Sequence, residues 1–230
     1  MPENPKDDFI DEVSHHRMAM LTWLGKRILP SGHWSGHEEN NAEKPRLYLT
    51  YDDGPHPETT PQLIELLASE NICATFFLVG SHVAKYPELV KQLADAGHVI
   101  GNHTYHHEFL PMLTSHRIET EIERANVAIF QACGQTPTLF RAPHGVLDAR
   151  VADCLKERSM KAVYWSCVSE DWLPLGANRV VSRIVRKVSD GALIVLHEGW
   201  FPHQTLEATR GVIKFAKEAG YVFEPLRPAV

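Results

Sequence analysis

The sequence predicts an α/β protein built on a parallel sheet of about seven strands, closed or nearly closed into a barrel. Three observations predict it. From Arg46 onward, short apolar runs alternate with segments of helical spacing, the pattern of a parallel sheet with crossover helices. Glycines close several of the helical segments: Gly97, Gly134, Gly191 and Gly220. The polar residues that look out of place fall at the carboxyl ends of the apolar runs, the face on which barrels of this kind build their active sites.

The elements follow in order. Residues 1–45 differ from the rest and read as an N-terminal extension. Between positions 9 and 29, apolar residues such as Phe9, Val13, Leu21, Trp23 and Leu24 are spaced as on an amphipathic helix. Pro30 ends it, and that helix is expected to pack on the main domain. Residues 31–44 are polar and contain glycine, so they read as a linker. The domain proper spans 46–230. Its strand-like runs are 47–51, 74–79, 99–101, 138–140, 161–165, 192–196 and 221–223. Thr60 is placed to cap the first helix, with Pro61 at its first position. Further helices are expected over 87–96, 117–132, 148–158, 178–189 and 205–219.

Composition narrows the function. With 230 residues, 43% apolar and 23% charged, the chain has the balance of an ordinary globular protein and enough length for a core of its own. A net charge of -6 without a basic cluster argues against a nucleic-acid partner, since phosphate binding needs concentrated Lys and Arg. Four cysteines, at 73, 133, 154 and 167, are far apart and form no CxxC pair, so they are expected as reduced thiols rather than metal ligands. No apolar run approaches the roughly 20 residues of a membrane span. The opening MPENPKDD is acidic where a secretory signal is basic, and a cytoplasmic location is expected.

The chemistry-bearing residues are Asp52 and Asp53 after the first run, His103 and His107 after the third, Arg141 at the end of the fourth, Asp171 after the fifth and His197 at the end of the sixth. Adjacent residues leaving a strand point in opposite directions, so one aspartate can bind a metal while the other stays free as a base. Histidines at i and i+4 share one face of a helical turn and can chelate one ion. Two histidines and one carboxylate leave coordination positions open for water and substrate. His197-Glu198 does not continue as HExxH, because position 201 is Phe, so a zincin site is excluded.

LTYDDGPHPETT, GNHTYHH, FRAPHG, SEDW and IVLHEG, in that order, resemble the five motifs of the polysaccharide deacetylase family, also called the NodB-homology or carbohydrate esterase 4 family. The resemblance runs from about Arg46 to about Pro225. It implies a distorted (β/α) barrel of the NodB-homology type and removal of N-acetyl groups from N-acetylglucosamine-type glycans or oligosaccharides. It implies a divalent metal, commonly zinc in this family, held by Asp53, His103 and His107; cobalt, nickel and manganese suit the same donors. Asp52 would be the general base and His197 the general acid, with Arg141 holding Asp52 and Asp171 orienting His197. Trp172 and Val195 would help form the acetyl pocket, and the backbone N–H of His144 would face the oxyanion. Two positions depart from the family pattern: His144 stands where Tyr is usual, and Val168 where many members carry Asp, which would thin the network around Arg141. The same barrel also serves O-acetyl carbohydrate esters, cyclic imides or, with catalysis lost, glycan binding alone.

Overall fold

The computed structural model describes residues 44–227. The helix expected over 9–29 and nearly all of the linker after it lie outside these residues. The described chain runs β1 (Arg46–Gly54), α1 (Thr59–Ser69), β2 (Thr75–Leu78), α2 (Gly80–Lys85), α3 (Pro87–Asp95), β3 (Val99–Asn102), α4 (Ser115–Cys133) and β4 (Leu139–Phe140). It continues with α5 (Ala149–Glu157), β5 (Lys161–Ala162), β6 (Cys167–Val168), α6 (Ala177–Val185), β7 (Ala192–His197), α7 (Pro202–Glu218) and β8 (Val222–Phe223).

Each strand pairing among these residues is parallel, in the spatial order β5-β4-β3-β2-β1-β7-β6. β8 pairs with Arg46 and Leu47 at the start of β1. The row has two ends, so the barrel stays open between β5 and β6. Of the strand expected over 161–165, only Lys161–Ala162 forms one, and β6 lies beyond that range as a further strand that the sequence did not signal. The carbonyls of Val163 and Tyr164 accept hydrogen bonds from the Arg141 side chain, and the chain leaves β5 there to rejoin the sheet as β6 beside β7.

Local chemistry sets the helix ends. Thr114 caps α4 by accepting from Arg117 N, and Asp148 caps α5 by accepting from Arg150 N and Val151 N. Gly134 ends α4 at φ 74°, a left-handed conformation that costs glycine little. Thr60 is not the cap of α1, which begins at Thr59. Its hydroxyl instead donates to Glu198 and accepts from His56 N. The short helix α2 gave no signal in the apolar spacing.

Strand alternation explains both core and site. Leu47, Leu49 and Tyr51 of β1, with Ala192, Ile194 and Leu196 of β7, join the helices in one apolar cluster. Tyr48 and Leu193 face the other way, into the barrel, where they meet Phe77, Leu139, Val163 and Leu226. Following that inner face along β1 gives Tyr48, Thr50, Asp52; along β7 it gives Leu193, Val195, His197. Each column is apolar at the amino end and reactive at the carboxyl end. Fully buried residues such as Phe76 and Phe77 contribute about 1.5–3 kcal/mol each through loss of apolar surface to water.

Candidate metal centre and active site

Asp52 and His197 are register partners across the β1–β7 pair. Both line a cavity of about 270 Å³ at the carboxyl ends of the strands, with Asp53, His103, His107, His144, Trp172 and Val195. Arg141 and Asp171 lie behind it, in contact with Asp52 and His197. All ten residues singled out in the sequence therefore meet in one place.

Strand β1 runs to Gly54, past its expected end at Tyr51. Its register with β2 shifts between Asp52 and Gly54, and Asp53 sits at φ 71°. A regular strand would send Asp53 to the helix side. This irregularity turns it to the end where Asp52 already points.

Asp53, His103 and His107 offer three ligand atoms within 4.8 Å of one another. Asp53 Oδ1 lies 3.4 Å from His103 Nε2 and 3.2 Å from His107 Nε2. The same oxygen is buried and makes no hydrogen bond. His103 donates its Nδ1–H to the Arg141 carbonyl at 2.7 Å, which aims Nε2 at Asp53. Burial alone would raise the Asp53 carboxyl, but the imidazoles of His103 and His107 hold it well below the usual carboxylate range. These donors fit a divalent metal: two imidazole nitrogens, one carboxylate and a buried oxygen short of a partner. The i,i+4 histidines are not on a helical turn. Residues 103–107 form a bent loop in which Thr104 (φ 65°) and His107 (φ 59°) are left-handed, conformations that cost about 1–3 kcal/mol each in such residues.

Asp52 is 3% exposed and accepts from Arg141 Nη1 at 2.7 Å. Arg141 also donates to Thr50 Oγ1 at 2.7 Å and to the carbonyls of Tyr164 at 2.8 Å and Val163 at 3.4 Å. Its guanidinium lies 4.2 Å from the centre of the Phe77 ring. Backbone and hydroxyl acceptors thus fill the network around Arg141 without an aspartate at 168. Val168 is buried and contributes apolar wall to the cavity instead.

His197 is fixed from behind by Asp171, whose Oδ1 accepts from Nδ1–H at 2.9 Å and whose Oδ2 accepts the His197 backbone N–H at 2.7 Å. Burial would lower the His197 pKa, but the Asp171 carboxylate, helped by Asp52 and Asp53, pushes it up to about 9. The Trp172 ring meets the imidazole edge-on at 4.9 Å. His144, at φ 59°, is exposed, and its ring stands edge-on to His107 at 4.8 Å.

Sequence reasoning missed Trp200, whose Nε1 donates to Asp53 Oδ2 at 2.9 Å. It missed Trp165 and Gly145 as cavity wall, and His82, whose Nδ1–H donates to the Asp53 carbonyl at 2.8 Å. Only the closeness of Trp200 to His197 in the chain pointed to it. Cys73, Cys133, Cys154 and Cys167 are unpaired and stand apart from the Asp53, His103 and His107 cluster. None of the described helices is long and apolar enough to cross a membrane.

Comparison with known proteins agrees with this fold. The family model for polysaccharide deacetylases matches residues 39–165. A chitooligosaccharide deacetylase of Bradyrhizobium sp. is 33% identical over 78% of this chain and 88% of its own length. A peptidoglycan-N-acetylglucosamine deacetylase of Bacillus cereus is 33% identical, over 87% of this chain and 94% of its own. Among solved structures, the Bc1960 peptidoglycan N-acetylglucosamine deacetylase, crystallised with a naphthalenyl N-oxidanyl-benzamide, superposes with a TM-score of 0.78. It is 30% identical and covers 84% of this chain and 90% of that one.

Proposed function

The chain belongs to the polysaccharide deacetylase family, and we propose that it hydrolyses the N-acetyl amide of N-acetylglucosamine units in a glycan or oligosaccharide. One observation carries the reading: two acid–base groups in register on neighbouring strands, each held by its own buried partner, flank a metal-type donor cluster in a single cavity.

Asp53, His103 and His107 would hold the metal, and two imidazoles with one carboxylate suit zinc. A divalent metal there supplies Lewis acidity, polarising the amide carbonyl and lowering the pKa of water from about 15.7 towards 7. Asp52, fixed by Arg141, takes a proton from the attacking water. Oxygen adds to the carbonyl carbon, the C–N bond breaks, and His197 gives its proton to the departing nitrogen. Acetate and a free amine leave. An amine departs badly unless protonated, so a separate acid is needed, and a group held protonated near neutral pH by Asp171 meets that need. Trp172, Val195 and Val168 form apolar wall suited to the acetyl methyl group. The backbone N–H of His144 would face the oxyanion.

Acetate release from N-acetylglucosamine oligomers and O-acetylated sugars tests the reading. Metal-loaded protein is compared with Asp52→Asn and with a chelated sample. Release from the oligomers, lost in both controls, is expected. Release from the O-acetyl sugars alone would replace the amide reading with an esterase, and no release from any substrate at full metal occupancy would leave a binding role.

A further inference from the structure

Two imidazoles of the metal-type cluster stand on the loop from His103 to His107, and each backbone N–H of that loop has a partner. His103 N donates to the Leu78 carbonyl at 3.0 Å, Thr104 N to Asn102 Oδ1 at 2.7 Å, and His107 N to Thr104 Oγ1 at 3.0 Å. The remaining two, Tyr105 N and His106 N, converge on one atom, Glu121 Oε2, at 3.1 and 2.7 Å. Glu121 projects from α4 and is fully buried. Its other oxygen accepts from His106 Nδ1–H at 2.7 Å and pairs with Arg117 Nη2 at 3.0 Å.

His106, Glu108 and Glu121 are close enough together to suggest a second cation site. Arg117 already fills that place: its Nη2 lies 2.6 Å from Glu108 Oε1 and 3.2 Å from His106 Nδ1, besides its contact with Glu121. The cluster is closed by a cation of its own. Its effect falls on the loop. Left-handed residues at 104 and 107 deprive this segment of regular backbone pairing, and Glu121 supplies two of the hydrogen bonds that a regular element would have made.

We infer that Glu121 is a positioning residue for the metal centre, presetting the separation and aim of the His103 and His107 rings from a helix that itself gives no ligand. This rests on the reading of Asp53, His103 and His107 as the metal ligands. Partners behind metal ligands typically govern affinity by about 10–100-fold.

Metal binding is therefore the test. Zinc dissociation constants are measured on the full chain by competition with a chromophoric chelator, and the visible spectrum of the cobalt-loaded protein reports coordination geometry. Glu121→Ala is expected to weaken zinc binding by about 10–100-fold and to alter the cobalt bands, and Glu121→Gln to recover part of the loss. Ile129→Ala, fully buried on the same helix, is the control: it should lower the melting temperature of metal-free protein and keep wild-type zinc affinity. Wild-type affinity in Glu121→Ala, or an equal loss in Ile129→Ala, would overturn the inference. If Glu121→Ala does not fold, Glu121→Asp takes its place; it is too short to reach both amides, and undiminished affinity there overturns the inference equally. His103→Ala separates the two readings. Zinc binding as tight as wild type in that variant sinks the ligand set itself. Its loss there, beside an unaffected Glu121→Ala, sinks only the role of Glu121.

Discussion

Asp171 grips His197 twice, through the ring Nδ1–H at 2.9 Å and the backbone N–H at 2.7 Å. The double contact fixes both the tautomer and the aim of the imidazole, and the carboxylate keeps it protonated up to about pH 9. The acid is then present below that value and lost as pH rises through it. In Asp171→Asn the alkaline limb of kcat/KM should move to lower pH by about 1–3 units, the usual effect of one adjacent charge. A pH–rate profile on metal-loaded protein checks this, and an unmoved limb would remove His197 from the role of acid.

Arg141 and Asp52 form a buried pair with 0% and 4% of their side chains exposed. Removing one partner leaves the other charge uncompensated, at a cost of about 3–5 kcal/mol. Urea denaturation of Arg141→Met should show a loss of that order. Adding Asp52→Asn to Arg141→Met should recover part of it, because the stranded charge is gone. Additive losses in the double variant would show that the pair is not coupled.

Glu198 gives a prediction of opposite sign with pH. Burial pushes its carboxyl up to about 8 from an ordinary 4.5, against the pull of its bond from Thr60. Its Oε1 is buried without a hydrogen-bond partner. Between those values the folded state holds a proton that the unfolded chain has released, so this group's share of stability falls as pH rises from about 4.5 to about 8. Glu198→Gln cannot ionise. Its stability relative to wild type should therefore climb over that window and level off above it, as read from denaturation at several pH values. A difference independent of pH would contradict the assignment.

Gly145 tests the shape of the cavity. It sits at φ 70°, and a Cβ there would lie 1.8 Å from the Trp165 ring. Gly145→Ala must displace the indole or the loop, at about 1–3 kcal/mol. The expected outcome is a lower melting temperature, altered tryptophan fluorescence and a raised KM with a smaller change in kcat. Unchanged KM would place Trp165 outside the substrate's reach.

Much of this was legible in the chain because strand ends and site coincide. A run that is apolar and then abruptly acidic or histidine-bearing, as at Tyr51-Asp52 or Leu196-His197, declares its own carboxyl end. Spacing fails where side chains intervene in the backbone. Arg141 takes the carbonyls of Val163 and Tyr164, and the strand expected over 161–165 stops after Ala162. The irregularity at Asp53 is a matter of φ, not of composition: the sequence marks both aspartates for the site, but strand alternation alone would send them to opposite faces. Contacts such as Trp200 to Asp53 and Glu121 to Tyr105 join distant positions through polar atoms, and apolar periodicity says nothing about them.

The place of β1 between β2 and β7 also bears on assembly. Translation delivers Asp53, His103 and His107 long before Asp171 and His197. A growing chain thus carries all three residues proposed as metal ligands while the proposed acid, His197, is still unmade. β1, flanked by β2 and β7, keeps one edge bare until β7 has left the ribosome, and a bare edge is where nascent chains pair wrongly with one another.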